Sequence, residues 1–132
     1  SYLVKIAFTG HTYTVYGYKA KQVRDNLHSY DVIQAVEAFA ANPRPGEVYN
    51  MGGGRGNSVS ILEAFARIAE MTGRKVQWVY QESARKGDHI CYISDLRKFQ
   101  AHYPAWNITR NLNTILEEII ESEKQKQPVS VG

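Results

Sequence analysis

An extended polar run that passes directly into an amphipathic helix, residues 19–32, constrains the fold of this chain more than any other stretch. The pattern predicts a strand over 22–28 and a helix with Ser29 as its N-cap. Asp31 falls in the first helical turn, where the helix dipole favours a negative charge. Apolar positions at helical spacing then predict one buried face, made of Val32, Ile33, Val36, Phe39 and Ala40.

Arg24 is the most informative residue of this stretch, because it lies near a predicted strand end and carries a permanent charge. Its guanidinium is a planar fork of donors, which suits a phosphate held by two hydrogen bonds. The alternative is a surface arginine paired with Asp25 or Asp31. The residue taken alone leaves both interpretations open.

The rest of the chain alternates strands and helices, which predicts an α/β fold. Strands are expected at 12–16, 47–51, 75–80 and 90–93. Helices are expected in three further places: after the capping box of Ser60 and Glu63 as far as Gly73, from Asp95 to His102, and from Thr109 onward.

The two ends of the chain predict a fragment with a tail. Residues 2–10 are apolar from the start and fit the last turns of a helix closed by Gly10, although alternation also allows a strand. Because this start has no cap and no polar lead-in, we expect a piece of a longer protein. We expect one portion over 1–121 and a frayed or disordered tail over 122–132, where the sequence turns charged and polar.

The glycine-rich segment 52–57 has the strand–glycine–helix order of a dinucleotide-binding turn. Its spacing fails, because Asn57 stands where the third glycine of G-x-G-x-x-G belongs, and no acidic residue ends a second strand about 20 residues later. We interpret the segment as a sharp turn that needs positive φ, and we assign it no NAD binding.

Composition and charge argue against several classes of protein. The net charge of +3 is spread out without a basic run, so nucleic acid is not required as a partner. No apolar run approaches the ~20 residues of a membrane span, and no signal peptide is visible. Cys91 is the only cysteine, which excludes an internal disulfide and fits the cytoplasm. Its apolar neighbours predict a buried, inert thiol.

No catalytic or metal-binding residue is assigned in this chain. The four histidines show no metal-ligand spacing with one another or with Cys91. No tyrosine is followed four residues later by lysine, so the Tyr-x-x-x-Lys pair is absent.

Two separated basic sites remain, and both lie at strand ends or in loops, where ligand contacts usually occur. Arg24 has Lys19 and Lys21 nearby, and Arg85 is followed by Lys86. Two arginines from different loops could clamp a diphosphate from both sides. Tyr16, which closes the first strand, could then lie beside a base.

Several short motifs follow one another along the chain up to about Glu121: Val15-Tyr16-Gly17, Val23-Arg24-Asp25 through His28 with Asp31-Val32, Val48-Tyr49-Asn50-Met51-Gly52-Gly53, Arg85-Lys86-Gly87-Asp88, and Asp95 with Trp106. Their order resembles the C-terminal, substrate-binding half of extended short-chain dehydrogenases/reductases that act on nucleotide sugars, the NAD-dependent epimerase/dehydratase family. The wording of Lys21-Gln22-Val23-Arg24-Asp25-Asn26 and of Arg44-Pro45-Gly46-Glu47-Val48-Tyr49-Asn50 is most similar to the CDP-paratose 2-epimerase (CDP-tyvelose epimerase) branch.

The resemblance implies a function and a set of site residues. Arg24 and Arg85 would bind the diphosphate of a nucleotide sugar, Val15 and Tyr16 would lie near the base, and Asp88 would orient Arg85 or its loop. The reaction would be a transient oxidation of the sugar to a ketone by NAD, followed by return of the hydride. In this family the residues that carry out the reaction lie in the N-terminal half of the enzyme, and none of them is present in this sequence. The resemblance therefore implies a cytoplasmic, homo-oligomeric epimerase of which this piece alone is inactive.

Other interpretations stay open. The chain could be a stand-alone nucleotide-binding module, part of an NAD-dependent nucleotide-sugar dehydratase, or a small basic nucleic-acid binder. The last needs basic residues and stacking aromatics on one face, and Tyr16 and Trp78 are not flanked in that way. Without a first half, the stripe of Val32, Val36 and Phe39 would lose its partner, so we expect marginal stability or association.

Overall fold

The structure, a computed structural model, describes residues 2–126. Its helices are α1 (Tyr2–Thr9), α2 (Ser29–Ala41), α3 (Ile61–Thr72), α4 (Arg97–His102) and α5 (Leu112–Lys126). Its strands are β1 (Thr12–Tyr16), β2 (Val23–Asp25), β3 (Ser58–Ser60), β4 (Gln77–Gln81) and β5 (Cys91–Tyr92). The mixture of short strands and helices confirms the predicted α/β class.

The chain divides into two compact units, each made of separate stretches of sequence. Among the described residues, the first unit comprises 2–22, 60–90 and 113–126, and the second comprises Val23–Val59 and Cys91–Leu112. Residues 23–59 of the second unit thus separate two stretches of the first.

The first unit contains a parallel pair of strands, β1 and β4, aligned from Thr12 opposite Gln77 to Tyr16 opposite Gln81. Helix α3 begins and ends as predicted, because Ser60 and Glu63 form the capping box and Gly73 adopts a left-handed φ of +69°. Helix α1 settles the ambiguity at the start of the chain in favour of a helix closed by Gly10. The buried apolar residues of this unit are Val4, Ile6, Ala7, Val15, Ala20, Ala64, Phe65, Ile68, Val76, Leu116 and Ile120.

The second unit contains a sheet in the order β3–β2–β5, in which β2 and β5 run parallel. Its core is aromatic and consists of Ala35, Leu96, Phe99, Tyr103 and Trp106, with Leu27, Ala38, Phe39, Tyr49, Met51 and Ile108 packed against it.

The face that α2 buries differs from the prediction. Asp31 and Ala35, one turn apart, are buried, whereas Val32, Ile33 and Val36 are exposed by 39%, 56% and 61%. The reason is that the Asp31 carboxylate accepts hydrogen bonds from Thr109 and Arg110, which turns this face inward. The N-cap is also different: it is His28, whose Nδ1 accepts from the backbone N–H of Tyr30.

Four other expectations are corrected. No strand forms at 47–51; instead Tyr49 packs into the aromatic core of its unit. The last helix begins at Leu112 because Thr109 is engaged by Asp31. Cys91 is exposed, since β5 is an edge strand of only two residues. The predicted tail is helical as far as Lys126, and residues 127–132 lie outside the described residues.

Within residues 2–126, no helix has the length and apolar character needed to cross a bilayer. The same residues contain no group of three or more His, Cys, Asp or Glu side chains arranged to hold a metal ion.

Candidate functional site

Arg85 and Tyr16 lie together at one edge of the first unit. Because β1 and β4 run parallel, their carboxyl ends meet at this edge, and the loop after β4 carries Arg85 back toward β1. The guanidinium carbon of Arg85 lies 4.6 Å from the centre of the Tyr16 ring, a cation–π contact. A guanidinium carries five N–H donors, so a contact with an aromatic ring leaves it able to donate hydrogen bonds to an anion.

The residues around Arg85 form a tight turn. The backbone N–H of Asp88 donates to the carbonyl of Arg85 at 3.1 Å, and Gly87 between them has φ +78°. A positive φ at the third position favours glycine. The side chain of Asp88 accepts from the N–H of His89 at 3.0 Å, and its backbone closes the turn. The backbone of Asp88 thus closes the turn, and the predicted role of its side chain toward Arg85 stays a prediction.

Val15 and Tyr16 contribute in different ways. Val15 as a whole residue is 3% exposed, belongs to the core and pairs with Tyr80 of β4, so its place beside a base stays a prediction. The carbonyl of Tyr16 is occupied by Nε2 of Gln22 at 2.5 Å. The ring of Tyr16 is half-buried and stacks on Arg85.

The segment after β1 has an unusual backbone. Tyr18, Lys19 and Ala20 follow one another with φ values of +53°, +52° and +59°, in the left-handed region that favours glycine. Gly17 precedes them, and a Cβ at this position would lie 2.7 Å from Ala84 in the loop after β4. Tyr18 and Gln22 contact this region without having been named as candidates, since neither residue type signals a ligand.

Arg24 lies in the second unit, at the centre of β2, opposite Tyr92 of β5. It is half-buried, and its Nη1 donates to the carbonyl of Val23 at 2.7 Å. Arg24 and Arg85 thus belong to different units, and their convergence on one diphosphate stays a prediction.

The glycine-rich segment of the second unit packs closely against the end of β2. Oδ2 of Asp25 accepts from the N–H of Gly54 at 3.0 Å and from that of Ser94 at 2.9 Å. A Cβ at Gly52 would overlap Asp25 and Ser94, and one at Gly53 would overlap the carbonyl of Asn26. These glycines are required for close approach, and only Gly54 has the positive φ that we predicted for the turn.

The close packing at Gly52 and Gly53 is against the protein's own residues. The positions where a Cβ of these glycines would lie are filled by Asp25, Ser94 and Asn26, so both glycines serve packing within the second unit. Beside the segment lies a cavity of about 470 Å³, lined by Gly53, Gly54, Arg55, Gly56, Asn57, Leu96, Ile108, Thr109 and Asn111. We assign no cofactor to this segment.

Asp31 fixes the start of α2 in the second unit. Its carboxylate accepts from the Thr109 hydroxyl at 2.6 Å and from the backbone N–H groups of Thr109 and Arg110 at 3.1 and 3.0 Å. Burial alone would raise the pKa of Asp31, but these hydrogen bonds favour the charged form and bring its pKa below the ordinary value. Its carbonyl accepts from Nε1 of Trp106 at 2.9 Å, so a single residue joins three segments.

No protein-family model matches this chain. Two curated proteins are 31% identical: a dTDP-glucose 4,6-dehydratase of Streptomyces griseus over 97 residues, and a CDP-paratose 2-epimerase of Salmonella typhi over 88 residues. These matches cover 74% and 65% of this chain but 29% and 25% of the relatives. The chain therefore spans less than a third of the length of the curated relatives it matches.

Solved structures give the same picture over more of the chain. MoeE5 in complex with UDP-glucuronic acid and NAD is 30% identical, with a TM-score of 0.83, and the match covers 96% of this chain and 41% of that one. UDP-glucose 4-epimerase from Thermotoga maritima, solved with UDP-glucose, is 25% identical with a TM-score of 0.79, over 95% of this chain and 38% of that one.

Proposed function

Because this chain belongs to the NAD-dependent epimerase/dehydratase family of extended short-chain dehydrogenases/reductases, we propose that it is the nucleotide-sugar-binding portion of a sugar epimerase. In this proposal Arg85 and Arg24 hold the diphosphate, Val15 and Tyr16 lie beside the base, and Asp88 shapes the Arg85 turn. The observation that carries the proposal is the stacking of Arg85 on Tyr16, which offers charged donors next to an aromatic ring.

The favoured nucleotide is a CDP-sugar. The match to CDP-paratose 2-epimerase supports this choice. NAD would be bound by a cofactor-binding half of the kind that extended short-chain dehydrogenases/reductases carry. Since this chain has no Tyr-x-x-x-Lys pair, we expect the piece alone to be inactive. A cytoplasmic location and homo-oligomeric assembly stay predictions, as does the absence of nucleic-acid and membrane partners.

The test is calorimetric titration of the chain with CDP, UDP and dTDP, with CMP as the monophosphate reference. We expect a diphosphate to bind more tightly than CMP, and we expect Arg85→Met to weaken that binding about tenfold, since a charged bidentate contact is lost.

Arg74→Met is the matched control. Arg74 is an exposed arginine of the same unit that also stacks on an aromatic ring, with its guanidinium carbon 4.9 Å from the centre of the Phe8 ring. We expect no change in nucleotide binding for this variant. Equal losses for the two variants, or no preference for diphosphate over CMP, would contradict the proposed function.

A nucleotide-sugar dehydratase is the second candidate, favoured by the match to dTDP-glucose 4,6-dehydratase at the same identity. The same titration separates the two. Tighter binding of CDP supports the epimerase, and tighter binding of dTDP supports the dehydratase.

A further inference from the structure

The turn that carries Arg85 is contacted at both of its ends by the last residue of β1 and the segment that follows it. At the first end, the Arg85 guanidinium lies over the Tyr16 ring. At the other end, the hydroxyl of Tyr18 donates to the carbonyl of Asp88 at 2.9 Å. Since Tyr16 and Tyr18 are two residues apart, both ends of the turn contact the same short piece of the chain.

The backbone at Tyr18 is placed for this contact at a conformational cost. Tyr18 opens the run of three non-glycine residues with left-handed φ, which persists only where surrounding contacts determine it. Those contacts are present: Ala20 is 4% exposed, and the N–H of Lys19 donates to the Tyr80 hydroxyl at 3.2 Å. These contacts hold Tyr18 in a conformation in which its hydroxyl donates to the Asp88 carbonyl of the Arg85 turn.

We propose that Tyr18 is a positioning residue, whose hydroxyl holds the Arg85–Asp88 turn where the Arg85 guanidinium can grip a diphosphate. The inference rests on the proposed function and adds a residue to it. Without this hydrogen bond the turn loses one of its contacts with the segment that follows β1. Binding would then include the entropic cost of ordering the turn.

Tyr18→Phe removes the hydroxyl and keeps the ring. We expect CDP binding to weaken about 3- to 10-fold, the effect of one neutral hydrogen bond. Tyr2→Phe is the matched control, because Tyr2 is an exposed tyrosine on α1 of the same unit. In an Arg85→Met background we expect Tyr18→Phe to have no further effect, since its influence passes through Arg85.

A second readout needs no nucleotide. Hydrogen exchange of the Asp88 amide, which donates to the Arg85 carbonyl, is expected to speed up several-fold in Tyr18→Phe and to stay unchanged in Tyr2→Phe. Gly87→Ala perturbs the same turn independently, because alanine is strained at the φ of +78° that Gly87 adopts, although the space around its Cβ position is open. We expect this variant to weaken CDP binding in the same way.

The outcomes separate the two proposals. If the wild-type chain binds CDP no better than CMP, the proposed function fails, and the exchange measurement still decides whether Tyr18 holds the turn. Unchanged exchange and unchanged CDP affinity in Tyr18→Phe overturn the inference. Equal losses from Tyr18→Phe with and without Arg85 also overturn it, because they would show that Tyr18 acts by another route.

Discussion

Asp31 offers the sharpest test of how the second unit is held together. Asp31→Asn keeps the size of the side chain but replaces one acceptor oxygen with a donor. The wild-type carboxylate is fully buried and accepts from two backbone N–H groups and one hydroxyl. The amide therefore loses at least one charge-assisted hydrogen bond. Its NH₂ group would also point at the N–H and hydroxyl donors of Thr109 and Arg110, with which it cannot form a hydrogen bond.

The expected loss follows from these contacts. A hydrogen bond to a charged group contributes about 1.5–3 kcal/mol, and a buried donor left without a partner costs a further ~1–3 kcal/mol. Relaxation of the 109–110 loop will recover part of this sum. We expect Asp31→Asn to lower the free energy of unfolding at pH 7 by about 3 kcal/mol.

The assay is urea denaturation followed by circular dichroism, with the slope compared between variants. Glu37→Gln, an exposed substitution on the same helix, is the matched control and is expected to leave the midpoint unchanged. A loss below about 0.5 kcal/mol for Asp31→Asn, within the range of ordinary surface substitutions, would refute the reasoning.

The pH dependence gives an independent check. The folded-state pKa of Asp31 is lowered from 3.8, so its charged form stabilises the fold above that value, and the contribution disappears as the pH falls through the folded-state pKa. The difference between wild type and Asp31→Asn should therefore be largest near neutral pH and shrink in acid. A difference that stays constant into acid would contradict this assignment.

Three further predictions concern local features. Gly53→Ala should unfold the chain or destabilise it severely, because the new Cβ would overlap the Asn26 carbonyl. Gly56→Ala should be neutral or slightly stabilising, because nothing lies within 4 Å of the new Cβ. Thermal melts of the two variants distinguish these outcomes. Ser60→Ala removes the cap of α3 and should cost about 1 kcal/mol in urea denaturation. Cys91, being exposed, should react with a thiol reagent in the absence of denaturant, and protection until unfolding would refute the exposed edge strand.

Some features that depend on neighbours in sequence were predicted correctly, although the N-cap at Ser29 and the strand at 47–51 were not. Strand β1, the capping box of Ser60 and the stop at Gly73 arise from alternation, capping and left-handed φ, and each matches the structure. Features that depend on residues distant in sequence were not predicted. The face that α2 buries is decided by the hydrogen bond that the Thr109 hydroxyl donates to the Asp31 carboxylate, 78 residues away in sequence. The spacing of the hydrophobic residues does not predict this hydrogen bond.

The candidate site shows the same division. Arg85, Tyr16 and Val15 were named from residue chemistry and family resemblance, and the structure brings Arg85 and Tyr16 into contact. Tyr18 could not be named, because its role comes from a left-handed backbone that only tertiary contacts maintain. An alternating run of aromatic and β-branched residues predicts a strand, but no local pattern predicts which loop will lie against its end.

The interleaving of the two units along the chain has a consequence for biosynthesis. Strand β1 is synthesised before its parallel partner β4, and residues 23–59 of the second unit are made between them. The second unit in turn waits for residues 91–112. Neither unit is complete until β4 and residues 91–112 have been made, so β1 presents an unpaired strand edge during that interval of synthesis.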